Sequence, residues 1–130
     1  MRYQTHYTLE EARALLPKVR KWLKRLVRLR GEIEACDKQL TGLLAEGRDL
    51  GGETVNKWIR GLADLKSVLM EFHRREIQIK DLDRGLIDFP SVIADKEVFL
   101  CWEQQEEDIE FWHELDAGYA GREKLSGDEL

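Results

Sequence analysis

Apolar residues recur every three or four positions through roughly the first eighty residues and then alternate in short runs, so the chain reads as a helical scaffold followed by a small sheet. Thr8 and Glu11 form a capping-box pattern, in which hydroxyl and carboxylate each satisfy an orphan backbone N–H, and a helix is expected to start there. From that point Ala12, Val19, Leu26, Ile33 and Leu40 fall at one heptad position, with Leu15, Trp22, Leu29, Cys36 and Leu43 three residues on. Such a 3.5-residue repeat favours a helix that winds around a neighbour. Pro17 removes one helical hydrogen bond and predicts a kink or break over Arg13–Leu16. Glycines in the run Gly47-Arg48-Asp49-Leu50-Gly51-Gly52 predict a turn.

A second heptad follows, with Val55, Leu62 and Leu69 at one position and Trp58, Leu65, Phe72 and Ile79 at the other. The two helices therefore form an antiparallel hairpin, expected over residues 8–81. Its arms, Lys18–Glu46 and Glu53–Asp81, match at about 43 Å each. Glu76, charged within the second seam, is then expected near Lys24 as an ion pair. Leu16, Leu23, Leu44 and Ile59 widen the apolar stripes beyond the seam, which calls for a cover. The C-terminal segment and a second copy of the hairpin, closing a four-helix bundle, are both expected to supply it.

Beyond Asp83-Arg84-Gly85, three runs have strand character: Leu86–Phe89 stopped by Pro90, Glu97–Glu103, and Ile109–His113 after a turn at Gln104–Glu107. Pairing Trp102 with Ile109 puts Val98, Leu100, Trp102, Ile109, Phe111 and His113 on one face, and Phe99, Cys101, Glu110 and Trp112 on the other. Gly118-Tyr119-Ala120-Gly121-Arg122 needs unusual backbone freedom. The expected fold is α+β: a long, coiled-coil-like antiparallel hairpin followed by a small three-stranded antiparallel sheet. It forms a single domain over residues 1–124, with the sheet and glycine-rich loop at 84–122 and a disordered tail at 125–130.

Composition narrows the classes. The 130 residues carry a net charge of −5, which argues against general nucleic-acid binding. A basic run from Lys18 to Arg30 stands apart, but its apolar residues belong to the longer heptad, so it reads as the solvated face of that helix. No run approaches the length of a membrane span, and the N-terminal residues lack the apolar stretch of a signal peptide, so a cytoplasmic protein is expected. Cys36 and Cys101 lie far apart without CxxC spacing and read as small buried hydrophobes.

Tyr7-Thr8-Leu9-Glu10-Glu11-Ala12, Asp83-x-Gly85-Leu86-Ile87-Asp88-Phe89-Pro90, Leu100-Cys101-Trp102, Trp112-His113 and Gly118-x-x-Gly121-Arg122 together resemble the small prokaryotic family called domain of unknown function 2203. The resemblance spans the chain up to Lys124 and implies no activity. The residues themselves suggest two rival roles. One is an assembly or partner-binding protein, homodimeric through its hairpin and without catalytic residues. The other is a metal- or small-ligand-binding protein, an enzyme among the options, with its pocket around His113 and the Gly118–Arg122 loop.

For the second role, the candidate ligand contacts are Asp88, Trp102, Glu106, His113, Tyr119 and Arg122. A divalent transition metal would be held by His113 with Glu114 and Asp116, since imidazole and carboxylates suit zinc, iron or manganese. The bland alternative for His113 is a ring whose nitrogens are satisfied by a carboxylate or a carbonyl. Glu110-x-x-His113 has di-iron spacing, but on a strand the two side chains point to opposite faces. Cys101 as a nucleophile with His113 as its base is also disfavoured, because the proposed register sends their side chains to opposite faces. Arg122 either clamps an anionic ligand or closes the acidic loop by pairing with Asp116 or Glu114.

Overall fold

The computed structural model describes residues 1–48 and 52–127, so part of the expected Gly47–Gly52 turn and the end of the expected tail lie outside the described residues. Two helices, α1 (Leu9–Ala45) and α2 (Gly52–Arg74), precede strands β1 (Gln78–Asp81), β2 (Leu86–Ile93), β3 (Lys96–Glu103), β4 (Phe111–Glu114) and β5 (Glu123–Lys124). The class is α+β, but the sheet has five strands in the order β1-β2-β3-β4-β5, all antiparallel, where three were expected. The chain gathers into two compact units. One contains Met1–Leu23 and the chain from Phe72 onward; the other is Lys24–Glu71.

The capping box forms as read: Thr8 N–H donates to the Glu11 carboxylate at 2.9 Å and Glu11 N–H to the Thr8 hydroxyl at 3.1 Å. Helix α1 then runs without a break through Pro17. Pro17 and Arg13 lie on the exposed side, so the carbonyl that loses its partner faces solvent while buried Ala12, Leu16 and Val19 hold the helix in place. In the Lys24–Glu71 unit α1 and α2 pack against each other closely enough that a Cβ at Gly61 would lie 3.1 Å from Ile33 Cγ1. In the other unit the rings of Trp22 and Phe72 meet edge to face at 5.4 Å. The row Ala12, Val19, Leu26, Ile33 is buried. On α2, however, the buried line is Val68 and Phe72 rather than Leu62 and Leu69, which are exposed.

Helix α2 ends at Arg74, not near Asp81. Ile77 N–H bonds the Phe72 carbonyl and Glu76 N–H the His73 carbonyl, a Schellman closure with Glu76 in the left-handed position at φ 56°. Because a glutamate occupies the position usually marked by glycine, no stop signal is visible and Ile79 extends the heptad by coincidence. Glu76 consequently does not pair with Lys24. Its carboxylate accepts the backbone N–H groups of Gln4 (2.9 Å) and Thr5 (2.7 Å).

Strand β2 passes through Pro90. β1 pairs only with Leu86–Asp88, and the Pro90 carbonyl accepts Tyr7 N–H at 2.7 Å on that open side. Nitrogen and carbonyl of one strand residue point the same way, so the missing N–H costs no bond to β3. Ala94 (φ 51°) and Asp95 (φ 63°) make the two-residue turn into β3, both left-handed as a tight hairpin requires. β4 pairs Phe99 with His113 and Cys101 with Phe111, one residue away from the expected register. A one-residue slip moves every side chain of the slipped strand to the opposite face. One face therefore carries Ile87, Phe89, Val98, Leu100, Trp102 and Trp112; the other carries Asp88, Phe99, Cys101, Phe111 and His113. The first face meets α1 and its lead-in, through Arg20 over the Trp102 ring at 4.8 Å and Tyr7 against Phe89. At the end of the chain, β5 pairs with β4 and Leu125 N–H reaches the Glu110 carbonyl at 2.8 Å.

Candidate functional site

The reverse face of the sheet collects the chemistry. β2 and β3 place Asp88 directly opposite Cys101, and β4 brings His113 opposite Phe99, two residues along on the same face. Asp88, Cys101 and His113 are each at most 2% exposed, and one potential ligand atom from each lies within 4.8 Å of the other two. His113 is fixed from both sides. Its Nε2 stands 3.0 Å from both Asp88 oxygens, and its Nδ1 stands 2.7 Å from the Glu114 carbonyl. Burial works against the imidazolium, but the bonds to Asp88 and to the Glu114 carbonyl outweigh it and hold the His113 pKa above the ordinary histidine value. Burial, with the Asp88 charge beside it, pushes the Cys101 thiol up to about 12.

A cleft of about 200 Å³ opens onto these groups, lined also by Lys80, Leu86, Leu115, Asp116, Gly118 and Tyr119. Two glycines with left-handed backbone shape the turns around it, Gly118 in its lining and Gly85 next to the lining residue Leu86. Gly118 (φ 68°) turns the chain after β4, and Gly85 (φ 63°) lets the β1–β2 turn approach Gln104, whose N–H donates to the Gly85 carbonyl. Tyr119 is held between the guanidinium groups of Arg84 and Arg122, at 4.3 and 4.4 Å. Arg122 also lies over Phe111, touches Cys101 Sγ at 4.0 Å and makes a two-pronged pair with Glu106 at 3.0 and 3.1 Å.

Of the residues singled out from the sequence, Asp88, His113 and Tyr119 meet at this cleft. Arg122 closes onto Glu106 rather than onto Asp116 or Glu114. Glu106 also accepts Glu103 N–H, so its carboxylate fastens the β3–β4 connection. Trp102 sits on the other face, fully buried, with its indole N–H donating to the Glu106 carbonyl. Asp116 stands at the cleft rim, paired with Arg2 at 3.3 Å, and Glu114 contributes its carbonyl to His113 while its carboxylate pairs with Lys96. Cys101 and Lys80 are the residues sequence reasoning missed. The first was separated from His113 by the wrong register, and the second was read as helix. Asp88 was itself a signal: a carboxylate inside the apolar run Leu-Ile-Asp-Phe needs a buried partner.

The fold and this cluster define an α+β protein with an Asp–His–Cys constellation on the face of a five-stranded antiparallel meander. The chain belongs to the family described as Uncharacterized conserved protein (DUF2203), which it matches over residues 5–125. No curated protein and no solved structure matches it.

Proposed function

We propose that this protein binds a divalent transition metal through Asp88, Cys101 and His113. The observation that carries the reading is the double acceptor around one imidazole. With its proton on Nδ1, facing the Glu114 carbonyl, the bare Nε2 lone pair would point at a carboxylate 3.0 Å away. A positive charge must stand between them, either a second proton or a metal ion. A backbone carbonyl on the distal nitrogen is the usual support for a metal-bound histidine. Cys101 supplies the third donor. A four-coordinate zinc-type site spaces its donors about 3.3–3.8 Å apart, so contraction of roughly an ångström from the present 4.8 Å suffices. Thiolate, imidazole and carboxylate together favour zinc, iron or cobalt over magnesium or calcium.

Elemental analysis of protein purified without an affinity tag, followed by zinc titration of chelator-treated protein, tests this reading. One equivalent is expected, lost in Cys101→Ser and His113→Gln variants whose circular dichroism is unchanged. Sub-stoichiometric binding by the native chain at micromolar zinc would leave a proton between His113 and Asp88 and overturn the proposal.

A second reading rests on the Lys24–Glu71 unit. Ile59, Leu62, Leu69 and Met70 are exposed along one side of α2, next to its buried line. A second copy of the chain laid along that side would complete a helical bundle. Sedimentation is expected to show a dimer at micromolar concentration that a Leu62→Lys, Leu69→Lys variant dissociates; a native monomer would exclude it.

A further inference from the structure

Three protein donors leave a four-coordinate metal one position short, and catalytic or substrate-binding centres differ from structural ones in this respect. Resting on the metal reading above, we infer that the fourth position is filled from the cleft by a small oxyanion, a carboxylate or phosphate group, with Lys80 as its charge partner. The donors lie in the wall of the 200 Å³ cleft, so the missing position can be reached from it. The volume is that of about six or seven waters, which restricts the occupant to a small molecule.

Charge selects its sign. A divalent ion with the Cys101 thiolate, the Asp88 carboxylate and a neutral imidazole is a neutral centre; forming it releases the thiol proton and the Nε2 proton to solvent. An anion added to that centre carries an unbalanced negative charge. Lys80 lines the same cleft, is exposed, and is near enough to His113 to act on it electrostatically. Its ammonium stands 4.9 Å over the Phe99 ring, and Phe99 packs against His113, so the cation is anchored beside the metal ligands. The carboxylate at the rim, Asp116, already pairs with Arg2. Arg122, 4.0 Å from Cys101, supports the thiolate but is engaged by Glu106 and is not free to hold the anion. Tyr119, 38% exposed and held between Arg84 and Arg122, forms the wall past which the anion enters.

Cobalt(II)-loaded full-length protein separates the layers of the argument. Loading is expected to produce sulfur-to-cobalt charge-transfer absorption and intense four-coordinate ligand-field bands. Acetate and inorganic phosphate, added separately, are then expected to shift the ligand-field bands saturably, and Lys80→Ala to weaken that response at least tenfold while leaving cobalt stoichiometry intact. The stronger of the two anions identifies the group. Stoichiometric cobalt whose spectrum neither anion moves overturns the inference and leaves a closed structural site. Anion binding unaffected by Lys80→Ala overturns the role of the lysine. Failure to take up cobalt at all refutes the metal reading itself.

Discussion

Gly85 meets two demands that no other residue type satisfies. Its φ of 63° lies in the left-handed region, and a Cβ there would stand 2.5 Å from Gln104 Cβ. Gly47 shares the first demand (φ 67°) without the second, since nothing lies within 4 Å of its Cβ position. Gly47→Ala should therefore cost about 1 kcal/mol, the conformational penalty alone. Gly85→Ala should cost about 2–3 kcal/mol, because the turn must also move off β3. Urea denaturation of the two variants checks the difference, and equal losses would mean that the Gln104 contact yields freely. At the same scale Glu76 accepts left-handed backbone that glycine would hold more easily, and its carboxylate receives two N–H groups in exchange.

Between residue and element, the N-terminal strap shows how few groups tie a segment down. Glu97 accepts the N–H groups of Arg2 and Tyr3 at 2.7 and 2.9 Å and meets His6 Nε2 at 2.7 Å, while Glu76 holds Gln4 and Thr5. Burial acts to raise the Glu97 pKa, but the bonds from His6, Tyr3 and Arg2 overcome it and bring it to about 2; Thr5 and Gln4 lower that of Glu76. Both folded values lie below the ordinary 4.5, so the stabilisation is fully present above that pH and is lost as pH falls below it, for Glu97 as pH falls through about 2. Hydrogen exchange at Arg2 and Tyr3 should accelerate over pH 4.5 to 2 beyond the intrinsic trend, and at Gln4 and Thr5 as pH falls below 4.5, while Glu97→Gln should produce the same exposure of Arg2 and Tyr3 at neutral pH.

Helices and strands were legible to different depths. The capping box and the Ala12-Val19-Leu26-Ile33 row specified α1 correctly, because a 37-residue amphipathic pattern overrides a single proline. On α2 the apolar stripe is wider than the surface its partner covers, and periodicity alone does not choose which edge is buried. Val68 is 4% exposed and Leu69 43%. Val68→Ala should cost about 1–2 kcal/mol and Leu69→Ala less than about 0.5 kcal/mol in the monomer, a contrast that thermal unfolding reads directly. The strand alternation of β3 was equally plain. Its register with β4 was not, because Gln104–Asp108 carries no turn signal that fixes the offset, and that offset decides whether Cys101 meets His113.

For the molecule as a whole, what matters is where ligand binding would show itself. The three proposed donors come from three adjacent strands, β2, β3 and β4, so a metal joining them cross-links the centre of the sheet. It binds the folded sheet and not the dispersed chain, so free metal at a hundredfold excess over Kd should raise the free energy of unfolding by about 2.7 kcal/mol. The gain should be local in origin. Amide exchange should slow most at Ile87–Phe89, Leu100–Trp102 and Trp112–Glu114, and least at the exposed residues of the Lys24–Glu71 unit, which contributes no donor. A chelator should reverse both effects, and Cys101→Ser should abolish them while leaving the exchange of α2 unaltered. Uniform slowing across the chain, with Cys101→Ser responding as strongly as the native protein, would instead indicate adventitious binding to the surface carboxylates of a chain with net charge −5.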